Sequence, residues 1–160
     1  MWGSATAAYQ CEGAWNEGDK GMSNWDVFCH SEKNNVNPVT GDVSCDHYHH
    51  FEEDLDMMAA GNQNAYRFSI AWTRIIPNGV GEVSEQGVAY YNRVIDACLA
   101  RGIEPLVTLY HYDMPNVLFE QGGWENRANA EAFAEYAKVC FERFGDRVKW
   151  WDHQRAHVRH

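Results

Sequence analysis

Pro105-Leu106-Val107-Thr108-Leu109-Tyr110 is followed at once by His111-Tyr112-Asp113, and this stretch decides the fold. The first six residues form a nearly continuous apolar run. Such a run predicts a parallel strand buried on both faces. The next three are polar or aromatic. Working outward, Asn129 starts a predicted helix whose apolar stripe is Phe133, Tyr136, Ala137, Cys140, Phe141 and Phe144, ending at Gly145. Val148–Trp151 opens a fourth strand. On the other side, Ser84 stands where an N-cap belongs, and Val88, Tyr91, Val94, Ile95, Cys98 and Leu99 follow at helical spacing up to Gly102. Asn64–Ile70 reads as the second strand, closed by the turn Pro77-Asn78-Gly79. Phe51–Ala60 reads as a short helix ended by Gly61-Asn62. Trp2–Ala8 reads as the first strand, and residues 15–45 as a long Gly/Asn/Ser-rich loop.

This alternation of strand and helix predicts an α/β chain with a parallel sheet. A doubly wound sheet and a barrel share it. A doubly wound fold would place a glycine-rich phosphate loop after the first strand, but that strand runs into Tyr9-Gln10-Cys11-Glu12-Gly13-Ala14. Polar and aromatic residues instead gather just beyond strand ends: Gln10, then Trp72 and Arg74, then His111, Tyr112 and Asp113. A barrel builds its active site there, so an incomplete (β/α)8 TIM barrel is expected. The chain has 160 residues, whereas a whole barrel takes about 250. About three β/α units and the start of strand four fit.

Composition narrows the function. Hydrophobic residues make up 45% and charged residues 22%, a globular balance. Thirteen basic against 23 acidic side chains give a net charge of −10, which argues against nucleic acid as a partner. No apolar run approaches the roughly 20 residues that span a bilayer, and Met1–Thr6 lacks the pattern of a signal peptide. Five scattered cysteines, with no CxxC pair, favour reduced thiols in a cytoplasm. Aromatic residues, at 14%, suit sugar rings but also fill cores.

Five segments in order carry a family resemblance: Trp2–Ala14 (WGSATAAYQCEGA), Cys45–Met58 (CDHYHHFEEDLDMM), Tyr66–Gly79 (YRFSIAWTRIIPNG), Gly102–Pro115 (GIEPLVTLYHYDMP) and Gly122–Arg127 (GGWENR). Residues 1–151 resemble the N-terminal part of family 1 glycoside hydrolases, the β-glucosidases and 6-phospho-β-glucosidases. The resemblance implies a (β/α)8 barrel, retaining cleavage of a small-molecule β-glycoside or phosphorylated glycoside, and no cofactor. It implies that Gln10 and His111 bind the sugar. Gln10 offers an amide donor and acceptor to vicinal hydroxyls. Tyr112 replaces the tryptophan common beside that histidine. Arg67 matches the arginine beneath the nucleophilic carboxylate, where a fixed cation holds it ionised. Trp72 and Arg74 are read as architectural.

Retaining glycosidases need two carboxyl groups about 5–5.5 Å apart. In this family the acid/base is the glutamate of an Asn-Glu-Pro motif after strand four, and the nucleophile lies in a later Glu-Asn-Gly motif. Neither motif occurs in the 160 residues. Asp152 is too early in the strand and too short to serve. No catalytic carboxylate is therefore assigned, and Arg67 is expected to lack its partner unless it reaches water. Residues 152–160, with three His and two Arg, read as an aberrant tail from a shifted or truncated reading frame. Open sheet edges predict self-association.

Two other readings stand beside this one. A non-catalytic remnant would bind carbohydrate through Gln10 and His111. A metal-dependent barrel hydrolase would use His47, His49 and His50, whose H-x-H spacing on a strand puts two rings on one face; the family has a similar run without a metal. Glu12 and Glu52-Glu53-Asp54 invite nomination as catalytic acids, but Glu52–Asp56 lie in a helix body and read as a solvated face.

Overall fold

The computed structural model describes residues 1–32 and 39–153. Four parallel strands form one sheet in sequential order: β1 (Gly3–Ala5), β2 (Ala65–Ser69), β3 (Glu104–Thr108) and β4 (Trp150–Asp152). A doubly wound sheet reverses its strand order at a switch point. Here each strand joins the next on the same side, the progression that curls towards a barrel.

The helices between them are α1 (Ala8–Cys11), α2 (Asn24–His30), α3 (His47–Ala60), α4 (Trp72–Ile75), α5 (Glu85–Ala100), α6 (Asn116–Glu120) and α7 (Arg127–Phe144). Helix α5 begins as its sequence predicts, with the Ser84 side chain accepting from the Gly87 N–H at 3.2 Å. It buries Val88, Tyr91, Val94, Ile95 and Cys98, while Leu99 is exposed. Helix α7 starts two residues before the expected Asn129, capped by Asn126. Tyr136, Ala137, Cys140 and Phe144 are buried in its stripe. Phe141 is instead exposed, its ring packing edge-on against Trp151.

Three expectations need correction. The first strand ends at Ala5, because Ala8 begins the turn α1 that carries Gln10. The long loop contains helix α2, started by a capping box in which Ser23 and Asp26 satisfy each other's backbone N–H. Strand β3 is not buried on both faces. Tyr66, Phe68, Val107 and Leu109 are buried in the core with residues of α5 and α7. The opposite face carries the row Ala5, Arg67, Leu106 and Trp150, half-buried or exposed. Strand β4 includes Asp152, whose carbonyl accepts from Leu109 N–H at 2.8 Å. Residues 154–160, most of the aberrant-tail expectation, lie outside the described residues.

Gly87 has a packing reason. A Cβ there would lie 1.9 Å from the Arg74 carbonyl oxygen, so α5 and α4 meet backbone to backbone. Gly87→Ala is expected to force the helices apart and cost about 1–3 kcal/mol, despite alanine's better helix propensity. A shift of the urea midpoint measures it; an unchanged midpoint would mean the approach relaxes freely.

Candidate functional site

The segments following β1, β2 and β3 converge at one end of the sheet, the C-terminal end. A small cavity there is lined by Ala8, Tyr9 and Glu12 after β1, Ala71 after β2 and Asp113 after β3, with Lys20 and Asp26 from the long loop. Parallel strands gather these residues because all their C-termini face one way.

Gln10 and His111 both lie at this end. Gln10 sits in the second half of α1 with its residue exposed, while its carbonyl accepts from the Ser44 hydroxyl. His111 is half-buried three residues after Thr108, the last paired rung of β3, its N–H donating to Asp113 Oδ1 at 3.3 Å. Tyr112, between them, is exposed and adopts φ of 70°, a left-handed conformation strained for an aromatic residue. The Asp113 carboxylate braces that turn.

Arg67 lies deeper, at the centre of β2, between Ala5 and Leu106 in register. It is half-buried, and its Nη1 donates to the Thr6 carbonyl at 3.0 Å. The Thr6 carbonyl gives the guanidinium an acceptor, and half-burial leaves the cation near solvent.

A buried ion pair holds the β1 segment in place. Arg74 Nε donates to Glu12 Oε2 at 2.7 Å, and Arg74 Nη2 reaches the carbonyls of Gly13 and Ala14 at 2.9 and 3.2 Å. The guanidinium stacks over Tyr48, 4.3 Å from its ring centroid. Tyr91 donates its hydroxyl to Glu12 Oε1 at 2.6 Å. Burial alone would lower the Arg74 pKa, but the charge and hydrogen bond of the facing Glu12, together with the neighbouring Tyr91 and Tyr90, raise it on balance. Burial also pushes the Tyr91 hydroxyl upwards, so it stays a donor. Glu12 thus anchors Arg74 and is no free catalytic acid, while Arg74 is architectural.

Beside this pair Lys20 Nζ contacts Asp26 Oδ2 at 2.6 Å. Asp113, almost wholly buried, is pushed up to about 7, chiefly by burial, with the nearby Glu12 charge adding to it. Asp113 belongs to the polar cluster that the sequence places beyond the third strand, whereas Lys20 and Asp26 were not singled out from sequence. The Ser23-x-x-Asp26 spacing was the local signal available for Asp26.

The histidine run is helical. His47, His49 and His50 open α3, where residues two apart point to different faces. His47 Nδ1 pairs with Asp54 Oδ2 and His49 Nδ1 with Asp46 Oδ1, both at 2.6 Å. Among the described residues no group of three or more His, Cys, Asp or Glu is disposed to hold a metal ion. The strand geometry on which the metal reading depended is overturned. Exposed Glu52 and Asp56 meet the half-buried Arg101 at 2.7 Å each, a solvated helix face as expected.

Comparison with known proteins agrees with the barrel geometry. β-Glucosidase A of Thermotoga maritima is 51% identical over 151 residues, covering 94% of this chain and 34% of that protein. β-Glucosidase 42 of Arabidopsis thaliana is 53% identical, covering 93% and 31%. An aryl-phospho-β-D-glucosidase of Bacillus subtilis is 49% identical, covering 94% and 32%. The crystal structure of a rice β-glucosidase superposes with a TM-score of 0.92 at 49% identity, over 96% of this chain and 32% of that one. The chain therefore spans about a third of the length of the curated relatives it matches. Its strands are the first four of an incomplete (β/α)8 barrel. Residues 1–155 match Glycosyl hydrolase family 1, and with the ordered motifs, the sequential parallel sheet and these relatives, the chain belongs to that family.

Proposed function

We propose that this chain supplies the sugar-binding N-terminal part of a retaining β-glycosidase acting on β-glucosides or 6-phospho-β-glucosides, and has no hydrolytic activity by itself. The observation that carries this is the placement of Gln10 and His111 after β1 and β3, on one end of a family 1 sheet, in a sequence with neither an Asn-Glu-Pro nor a Glu-Asn-Gly motif. Gln10 and His111 bind hydroxyls of the sugar, and Arg67 orients a nucleophile carried by the remainder of the barrel. Both chemistries are represented among the relatives, a β-glucosidase and an aryl-phospho-β-D-glucosidase. The substrate therefore stays a class, free or phosphorylated. The five free cysteines support a reducing cytoplasm, and no helix among the described residues is long and apolar enough to cross a membrane. The outer strands β1 and β4 each pair on one side among the described residues, and Trp2 and Trp150 are exposed beside them. Self-association through these edges is part of the proposal.

The test is a chimera in which residues 1–151 replace the matching third of the Thermotoga maritima enzyme. It is expected to hydrolyse a chromogenic β-glucoside, and Gln10→Ala or His111→Ala to lower kcat/KM about 10²-fold, as loss of a transition-state hydrogen bond does. A folded chimera indifferent to both substitutions would refute the sugar-binding role. The isolated chain is expected to show no turnover of either substrate class, with Asp152→Asn run beside it. Turnover surviving repurification would refute the assignment of catalysis to absent carboxylates.

A further inference from the structure

Two of the five thiols lie on chain segments that run against each other. Cys11 ends α1 and is buried, whereas Cys45 is exposed just before α3. On one flank the Ser44 hydroxyl donates to the Gln10 carbonyl. On the other, the Tyr48 N–H donates to the Glu12 carbonyl at 3.0 Å. Gly13 approaches Val43 so closely that a Cβ would sit 2.2 Å from its carbonyl oxygen. The neighbours of Cys11 on both sides are thus held by residues 43 to 48, which bracket Cys45. Both thiols line one open cleft with Thr6, His47 and Met58.

We propose that Cys11 and Cys45 are an oxidisable pair, which a low-molecular-weight disulfide of the glutathione type converts into a bridge between the α1 turn and the segment preceding α3. The exposed Cys45 thiolate attacks one sulfur of glutathione disulfide, whose S–S bond breaks and releases one glutathione. Cys11 then gives up its proton and attacks the Cys45 sulfur, and the second glutathione leaves. Two protein thiols are oxidised and one glutathione disulfide is reduced to two glutathiones. The order follows from access. Burial pushes the Cys11 thiol up to about 12, so it is a poor first nucleophile and the second step is the slow one. Cys98 and Cys140 are fully buried among core side chains and do not compete. The bridge would fix the turn carrying Gln10, and it stands independently of the sugar-binding reading.

The test treats the purified 160-residue chain with excess glutathione disulfide, quenches in acid and maps linked peptides without reduction. The expected product has no intermolecular disulfide and has lost two titratable thiols per chain, with the Cys11 peptide joined to the Cys45 peptide. Cys45→Ser is expected to abolish the link and Cys29→Ser to leave it. Unfolding in urea before oxidation is expected to scramble the pairing, which ties the link to the folded geometry without relying on a variant. A lasting Cys45–glutathione adduct, a Cys45–Cys45 dimer, or a Cys29–Cys45 link as the main product would overturn the proposal.

Discussion

Glu12→Ala is expected to cost about 3–5 kcal/mol, a large share of the roughly 5–15 kcal/mol that stabilises a domain, and to leave much of the chain unfolded. Arg74 is fully buried, and its guanidinium would lose the only carboxylate it contacts among the described residues. The carbonyls of Gly13, Ala14 and Glu17 would remain as acceptors, but none carries a formal charge. Tyr91 would lose its acceptor in the same step. The asymmetry between breaking a buried pair and replacing it makes the argument testable. Glu12→Ala combined with Arg74→Met removes both charges, so part of the lost stability is expected to return. Arg101→Ala breaks two surface pairs with Glu52 and Asp56 and is expected to cost no more than about 1 kcal/mol. Urea midpoints followed by tryptophan fluorescence rank the variants. If Glu12→Ala behaves like Arg101→Ala, the pair does not hold the β1 segment.

What the sequence made legible follows the range of the interactions involved. Ser84 and Gly102 punctuate α5 from within a few residues, and both ends of that helix fall close to the expected positions. The parallel sheet is equally legible, because apolar runs such as Pro105–Tyr110 are local signals. Helices α4 and α6, of four and five residues, are too short to display a helical period. Helix α2 escaped among glycine, asparagine and serine residues, although Ser23 and Asp26 stood at capping-box spacing. The histidine run was ambiguous because three closely spaced histidines fit a strand face or a helix start; the His50 N–H bonded to the Asp46 carbonyl and the buried Phe51 and Leu55, four residues apart, settle it as helix. Glu12 and Arg74 are 62 residues apart, and nothing local in either marks them as partners. For Gln10 and His111, spacing alone suggested only a rim of polar residues, and for Arg67, inside β2, it suggested no role. Their chemical roles came from the family resemblance.

Asp113→Asn is expected to stabilise the chain at pH 8 by up to about 4 kcal/mol, an unusual sign for a substitution at a buried position. Asp113 is only 3% exposed and has no basic side chain among its hydrogen-bond partners in the described residues. Burial, reinforced by the Glu12 charge, pushes its carboxyl from 3.8 up to about 7, although Lys20 acts in the opposite direction. Between those two values the folded chain holds a proton that the unfolded chain releases. Its contribution to stability is therefore fully present below about 4 and is lost as pH rises through about 7. At pH 8 the folded chain must bury a charge. Asparagine keeps the shape and the acceptor oxygen that meets the His111 N–H, so the turn through Tyr112 retains its brace. The advantage of the variant is expected to shrink steadily as pH falls from 8 to 5 and to vanish only below about 4, where the carboxyl is protonated in both the folded and the unfolded chain. Other groups also titrate, including His49, whose pKa is raised chiefly by its hydrogen bond to Asp46. They are common to both proteins and cancel in the difference between them. Urea midpoints at pH 5, 6, 7 and 8 supply that difference. Parallel profiles would show that Asp113 remains ionised in the folded chain throughout, and that the turn beneath His111 is held by a carboxylate after all.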